Sequence, residues 1–480
     1  MLMRFFACAS LLFFFGIPAR AAQVATASAP HPVMTVAGEH VPAFDPDNPP
    51  DRLRVLVALG PSTYFLKDGA PHGIELAMLS AYERFLNTGR KKGQPLIRLQ
   101  YIPVDASELL PALMAGRGEL AAGLLPVSSG MTSLVQYSMP YRYDRYCVVG
   151  PRSVSAATFA ELGERRISVP SASYQQRWLN EQGQIREAEG QPPLQIEALP
   201  AGAAIEPLLV GMGQEEAPLT VALQTQLELW SKAAPAAKSL FCGEANVALG
   251  WAMAKDNSGL KESVNRFLAA QGTGLLARAI TQTRVYLKPD GRARTATELT
   301  SSDKLGLFAP AFQLVAEATN MDWLLLAAIA QKESKFTPYI RTNGGPTGLM
   351  QVNPATARAM GIKDPHDNEQ NIMAAGRYLA YLRKQLRSQG VSEADSLYFM
   401  IGAYNAGEGR MQQLRRQAAA QGLDPNRWVG HVEKVAQNSV GGRMVDYVAS
   451  VNRIYLAYKA AEASKARRGA SAASAASAEK

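Results

Sequence analysis

The sequence is poor in cysteine and histidine, with three and five in 480 residues, and it holds a single long apolar run. So few cysteines exclude a disulfide-stapled scaffold. The histidines are scattered, none at ligand spacing from a Cys, Asp or Glu, so neither a metal site nor a cofactor is expected. With one long apolar run the chain is no polytopic membrane protein. Apolar residues at 47% and charged residues at 19% exclude wholesale disorder. A chain of this length folds as two or three domains.

The net charge is +9, and it is uneven: residues 300 to 480 carry 22 basic against 15 acidic residues, leaving +2 for the rest. A polyanion would therefore meet the C-terminal third, and nucleic acid and bacterial envelope polymer are the two candidates. The N-terminus decides between them. Arg4, the apolar run Phe5 to Ile17, Pro18 and Ala19-Arg20-Ala21 have the order of a secretory signal, so residues 1–21 are read as a cleaved leader. The run is shorter than the roughly 20 residues of a spanning helix. Export to the periplasm removes nucleic acid as a partner. Cys8 lies inside the apolar run without a lipoprotein context, so no lipid anchor is expected, and peripheral contact with the outer membrane stays open. Cys147 and Cys242 remain after cleavage, either as a disulfide or as two buried thiols.

Residues 22–51 are rich in Ala, Pro and polar residues and read as a linker. From 52 to 295 strands and helices alternate: RLRVLVAL at 52–59, a helix near Ile74 to Leu86, a strand at Ile97 to Val104, a helix from Ala106 and a strand at Leu120 to Leu125. That rhythm predicts a parallel α/β sheet covered by helices. Residues 300–460 are mostly helical, and 461–480 are a low-complexity Ala/Ser tail expected as frayed helix or disorder.

Gly73-Ile74-Glu75-Leu76, LLPALMAGRGE at Leu109 to Glu119, SMPY at Ser138 to Tyr141 and GWAMAKDN at Gly250 to Asn257 together resemble the polar-amino-acid family of periplasmic solute-binding proteins, family 3. The resemblance implies two α/β lobes joined by hinge strands; the module is expected either to bind a small molecule or cell-wall fragment that regulates the chain, or to stand as an empty scaffold or regulatory domain. One position departs from it. Met131 stands where the family has an Arg that clamps the ligand carboxylate, and Met cannot make that bidentate contact. A free amino acid held in the usual way is therefore not expected.

In the helical part, Asn320 and Asp322 start a helix over Trp323 to Ser334. Leu326, Ile329, Ala330 and Glu333 fall on one face, which sets a carboxyl on an apolar stripe near a helix C-terminus. Desolvation and the negative helix end both raise its pKa, as a general acid requires. Further on come Phe336-Thr337-Pro338, RTNGGPTG, Leu349-Met350-Gln351, NIMAAGRYLAYL from Asn371 and Ala403-Tyr404-Asn405-Ala406-Gly407. In this order and spacing they resemble family 1 lytic transglycosylases, the SLT group of the lysozyme-like superfamily. Joined to a solute-binding-like module, they narrow the resemblance to the membrane-bound type F. The resemblance implies Glu333 as the catalytic acid and base. It also implies substrate contacts from Ser334, Met350, Gln351, Tyr404, Asn405 and Tyr447, with Ser334 steadying the carboxyl or the sugar and the Tyr404 hydroxyl within reach of the carboxyl.

Two-carboxyl glycosidases place Asp or Glu across the scissile bond, yet none lies between Glu333 and Asp364. Asp364, Asp367 and Glu408 are the remaining candidates. The resemblance implies a one-carboxyl route on peptidoglycan glycan strands, closing a 1,6-anhydro ring on N-acetylmuramic acid. The alternatives are a hydrolytic muramidase on the same scaffold, or a sensor that only docks on peptidoglycan.

Overall fold

A computed structural model describes residues 44–45, 50, 52–90, 96–214, 216–287, 303–338, 340, 344–439 and 442–478. The leader and nearly all of the linker expected over residues 1–51 lie outside the described residues.

The first lobe forms on β1 (Arg52–Ala58), the hairpin β2 (Phe65–Lys67) and β3 (Ala70–His72), α1 (Ile74–Asn87), β4 (Arg98–Val104), α2 (Leu109–Met114), β5 (Leu120–Pro126), β6 (Val135–Tyr137) and β7 (Arg142–Asp144). Six of the seven residues of β1 are buried, as a central parallel strand requires. β1 pairs in parallel with β4 and β5. Two carboxylates are held inside this lobe. Glu119 pairs with the buried Arg54 guanidinium. Glu75 accepts hydrogen bonds from Leu124 N at 2.6 Å, Trp251 Nε1 at 2.8 Å and the Tyr141 hydroxyl at 3.0 Å.

The second lobe contains β8 (Tyr146–Pro151), β9 (Ile167–Pro170), α3 (Tyr174–Ala188), β10 (Ile196–Leu199), α4 (Glu206–Gly211), β11 (Thr220–Leu223), α5 (Gln224–Trp230) and β12 (Ala237–Cys242). β8 is flanked by β11 and β12, both antiparallel to it. Cys147 and Cys242 are register partners across β8 and β12 and form a disulfide. The chain then returns to the first lobe through β13 (Val247–Ala254), which lies antiparallel between β5 and β6, and ends there with α6 (Ser258–Gln271) and α7 (Gly274–Arg284). The two-lobed α/β architecture is present, although its second sheet is mainly antiparallel.

The remainder is helical: α8 (Asp303–Thr319), α9 (Trp323–Ser334), α10 (Pro354–Ala359), α11 (Asn368–Ser388), α12 (Glu393–Ala406), α13 (Glu408–Ala420), α14 (Glu433–Ser439) and α15 (Arg443–Ala478). α9 is buried continuously from Leu324 to Gln331. A helix apolar on every side belongs at the centre of a bundle, so the single stripe read from the sequence understates its burial. Glu333 lies in its last turn, at the edge of that core.

The helical domain is docked on the first lobe, and the buried apolar core runs without interruption from one to the other. Arg52 Nη2 bonds both carboxylate oxygens of Glu433, the second at 2.6 Å. The turn between β2 and β3 places Gly69 against Gln331 and Ile454. Residues 461–478, expected as frayed helix or disorder, continue α15 as helix. They find partners on the first lobe: Ser464 is 3% exposed, and Arg467 pairs with Asp105 and Glu108. Contacts made in the folded chain decide the helix here, whereas the Ala/Ser composition reports only local preference.

Candidate active site

Asp322 starts α9 by accepting a hydrogen bond from Leu324 N at 2.9 Å. Its second oxygen accepts from the Tyr455 hydroxyl at 2.8 Å and from Lys459 Nζ at 3.0 Å. One carboxylate thus caps α9 and ties it to α15. At the opposite end of α9, the α15 residue Tyr447 donates its hydroxyl proton to Glu333 Oε1. The two helices run antiparallel, because early α15 meets late α9 and later α15 meets its start. Tyr455 and Lys459, four residues apart and two to three turns beyond Tyr447, share one helical face. That spacing is the sequence signal for the two Asp322 partners, which sequence reasoning missed.

The chain leaves α9 through Lys335 and Phe336, both left-handed at φ 51° and 55°. Such conformations are costly for residues with a Cβ. Phe336 compensates by being fully buried, with its ring 6.1 Å from that of Phe312. Burial of a phenyl ring supplies about 2–3 kcal/mol. The sharp exit keeps Glu333 in the last helical turn, only partly covered. Burial raises its pKa above the ordinary carboxylate value; the Tyr447 hydrogen bond and the Lys332 charge oppose that shift and do not cancel it. The Tyr447 hydroxyl is itself pushed far up, first by burial and then by the Glu333 charge, so it remains a proton donor.

The facing wall is the loop ahead of α10. Gly348 has φ +77°, and a Cβ there would lie 2.5 Å from Asn371 Cγ, so glycine is required on both counts. Asn371 is fully buried. Its amide nitrogen donates to Thr347 O and Pro365 O, each at 2.9 Å, and its oxygen accepts Met350 N at 2.8 Å. The asparagine in NIMAAGRYLAYL is therefore a brace for the loop, a role that sequence reasoning had not given it.

The residues expected at the site divide into two groups. Tyr447 meets Glu333 directly, and Asn405 is exposed at the end of α12. Tyr404 adjoins them and feels the Glu333 charge, but its hydroxyl donates to Met350 O at 2.7 Å and not to the carboxyl as expected. The loop carbonyl provides the nearer acceptor, and Tyr447 occupies the place on Glu333. Ser334 is buried and its hydroxyl turns back to Ala330 O at 3.1 Å, the usual i−4 bond of a serine inside a helix, so it faces neither the carboxyl nor a sugar. Met350 is fully buried and supports the wall from behind. Gln351 has φ 48°, and its amide donates to Gly348 O at 2.8 Å.

The other carboxyls are engaged elsewhere. Asp364 accepts His366 N, Asp367 caps α11 through Gln370 N, and Glu408 accepts the Tyr381 hydroxyl at 3.4 Å. Among the described residues no group of three His, Cys, Asp or Glu side chains could hold a metal ion.

A cavity of about 160 Å³, away from Glu333, lies between the two α/β lobes. Leu59, Leu124, Tyr146, Ile205 and Leu223 give it apolar walls, and Ser464 of α15 closes one side. Its lining contains no Lys, Arg or His. Glu206 is in the wall, fully buried, with its pKa raised by that burial. It accepts the Ser62 hydroxyl at 2.5 Å and the Gln226 amide at 3.3 Å. Ser62 belongs to the first lobe and Glu206 to the second, so this contact holds the lobes together. Met131 packs against the core of the first lobe and is not part of the cavity lining.

Residues 310–425 match the model of the transglycosylase SLT domain. The chain is 27% identical over 391 residues to a protein of Desulfosudis oleivorans named membrane-bound lytic murein transglycosylase F, covering 78% of this chain and 80% of that one. A protein of the same name from Stutzerimonas stutzeri is 28% identical over 432 residues, 84% of each chain. Among solved structures the chain is similar to an ancestral arginine-binding protein bound to arginine, at 16% identity and a TM-score of 0.40, over 49% of this chain and 98% of that one.

Proposed function

We propose that this chain, whose residues 310–425 match the transglycosylase SLT domain, is a lytic transglycosylase acting on peptidoglycan glycan strands. The observation that carries the reading is Glu333: a desolvated carboxyl at the edge of the bundle core, hydrogen-bonded to Tyr447 and near Tyr404, whose hydroxyl holds the Met350 carbonyl of the loop. Burial raises the pKa of Glu333, which therefore holds its proton to a higher pH than a solvated glutamate does. Glu333 donates that proton to the β-1,4 glycosidic oxygen as the bond from C1 of N-acetylmuramic acid breaks. The Tyr447 hydroxyl steadies the carboxylate so formed. That carboxylate then takes the proton of the same sugar's C6 hydroxyl, whose oxygen bonds to C1 and closes a 1,6-anhydro ring. No water is consumed. An oriented hydroxyl competes well with solvent, since effective molarities reach the order of 10⁵ M. The engagement of Asp364, Asp367 and Glu408 elsewhere supports a single-carboxyl route. Asn405, exposed beside Tyr404, and Gln351 in the loop are the contacts proposed for the substrate's polar groups.

The chain acts in the periplasm, where a secreted protein meets its substrate, in peripheral contact with the outer membrane; its relatives are named membrane-bound. Among the described residues no helix is long and apolar enough to cross a membrane. The cavity between the lobes binds a small ligand or muropeptide by contacts other than a basic carboxylate clamp. α15 links that cavity to the acid, because one helix carries Tyr447 on Glu333 and, about 30 Å further along at 1.5 Å per residue, Arg467 on Asp105 and Glu108.

Digestion of peptidoglycan followed by mass spectrometry tests the reaction. The expected products end in 1,6-anhydro-N-acetylmuramic acid, and Glu333→Gln releases none of them. Products one water heavier would establish a hydrolytic muramidase instead, and a chain that binds strands without releasing fragments would be a sensor.

A further inference from the structure

Glu333 and Tyr447 occupy one end of a row of aromatic side chains that the reaction does not use. Tyr404 stands beside them, and the Tyr378 ring lies 6.0 Å from that of Tyr404. Tyr381, one turn along α11, stacks on Tyr378 with centroids 6.4 Å apart and planes 13° from parallel. Tyr381 is 38% exposed, and its hydroxyl donates to Glu408 at 3.4 Å. The row therefore changes along its length. Tyr404 has a committed hydroxyl in the loop wall, whereas Tyr381 presents an aromatic surface to solvent with a carboxylate at its rim.

Tyr378 and Tyr404 are partly covered, whereas Tyr381 leaves its ring open to solvent at the end of the stack. Held by its stack and its hydrogen bond, the ring is already ordered, so a ligand loses little conformational freedom on meeting it. A pyranose suits such a surface: its C–H face is apolar and its edge carries hydroxyls. The carboxylate of Glu408 can accept one of those hydroxyls while the sugar lies on the tyrosine ring.

We infer that Tyr378, Tyr381 and Glu408 form a saccharide subsite remote from the scissile bond, which takes a neutral pyranose of the glycan strand and selects long strands over short fragments. The inference rests on the glycan-cleaving reading. Tyr381 supplies the stacking face, Tyr378 braces it, and Glu408 receives a sugar hydroxyl. Binding energy gathered here favours substrates long enough to reach from the acid to Tyr381.

The test is a binding measurement on the full chain carrying Glu333→Gln, which separates binding from cleavage. Long peptidoglycan glycan strands and a GlcNAc–MurNAc disaccharide are titrated against this parent and against versions that also carry Tyr381→Ala, Tyr381→Phe or Glu408→Gln. Tyr381→Ala is expected to weaken strand binding about tenfold and to change disaccharide binding by less than about twofold, since one stacked ring accounts for roughly that factor. Tyr381→Phe keeps the ring and is expected to retain most of the affinity; Glu408→Gln should lose a few-fold on strands alone. Strand affinity unchanged in Tyr381→Ala would overturn the subsite. So would an equal loss on both ligands accompanied by a lower melting temperature, the sign of a purely structural role. If the wild-type chain releases no fragments while the Glu333→Gln chain shows this length discrimination, the reaction is wrong and the subsite stands.

Discussion

The Glu333–Tyr447 pair gives the chemistry its pH dependence. Burial favours the neutral carboxyl, while the tyrosine hydrogen bond favours the charged one. Catalysis needs the protonated form first, so kcat/KM should fall as pH rises through the Glu333 pKa, which lies above the ordinary carboxylate value. Tyr447→Phe removes a contact that lowers this pKa. Its alkaline limb should therefore move to higher pH, alongside a loss in rate from the less well held carboxylate. A pH–rate profile of the variant checks the sign: a limb displaced to lower pH would mean that the hydroxyl does not stabilise the charged form. The carboxyl at the end of an apolar helix made Glu333 a candidate, and the motifs that follow it, through their family resemblance, marked it as the acid. It did not separate the two tyrosines. Tyr404 and Tyr447 are both plausible partners by type, and only the antiparallel crossing of α9 and α15 sends one to the carboxyl and the other to Met350 O.

At the scale of elements, the site is a helix end facing a braced loop. Helix α9 was legible from its cap at Asp322 and its apolar residues, and its bounds agree with those expected. The loop was legible only as glycines and turns. What it lacked in sequence terms was its brace, since Asn371 is more than twenty residues along the chain and its two contacts with the loop, at Thr347 O and Met350 N, form only after α11 has packed. Gly348→Ala tests how firmly the brace defines the loop. The added methyl would collide with Asn371 and force a left-handed residue to carry a Cβ, so unfolding should become easier by about 2 kcal/mol or more. Urea denaturation measures this; a variant as stable as the parent would show that the loop accommodates the change. The second lobe is a further case of partial legibility. Alternation of strands and helices was evident, yet β11 and β12 pair antiparallel to β8, because strand direction depends on how the chain returns and not on local pattern.

For the whole molecule, the decisive feature is α15. It supplies Tyr447 to the acid, fastens α9 through Asp322, and finishes against the cavity between the lobes, where Ser464 is part of the wall. Composition marked its end as a low-complexity tail, and no local signal announces that Arg467 meets Asp105 and Glu108 some 360 residues away. Arg467→Ala should release that end while leaving the Glu333 pocket assembled. Hydrogen exchange is expected to accelerate around 460–470 and at the mouth of the cavity, together with an altered rate of strand cleavage. Faster exchange with an unchanged cleavage rate would show that the helix does not couple the two sites. Cleavage itself presupposes that Glu333 holds a proton at working pH. The direct measurement is a titration of its carboxyl in the intact chain, by isotope-edited infrared difference spectroscopy against Glu333→Gln. The account predicts a midpoint above that of a solvated glutamate, rising further in Tyr447→Phe; an ordinary midpoint, unmoved by the tyrosine substitution, would contradict it.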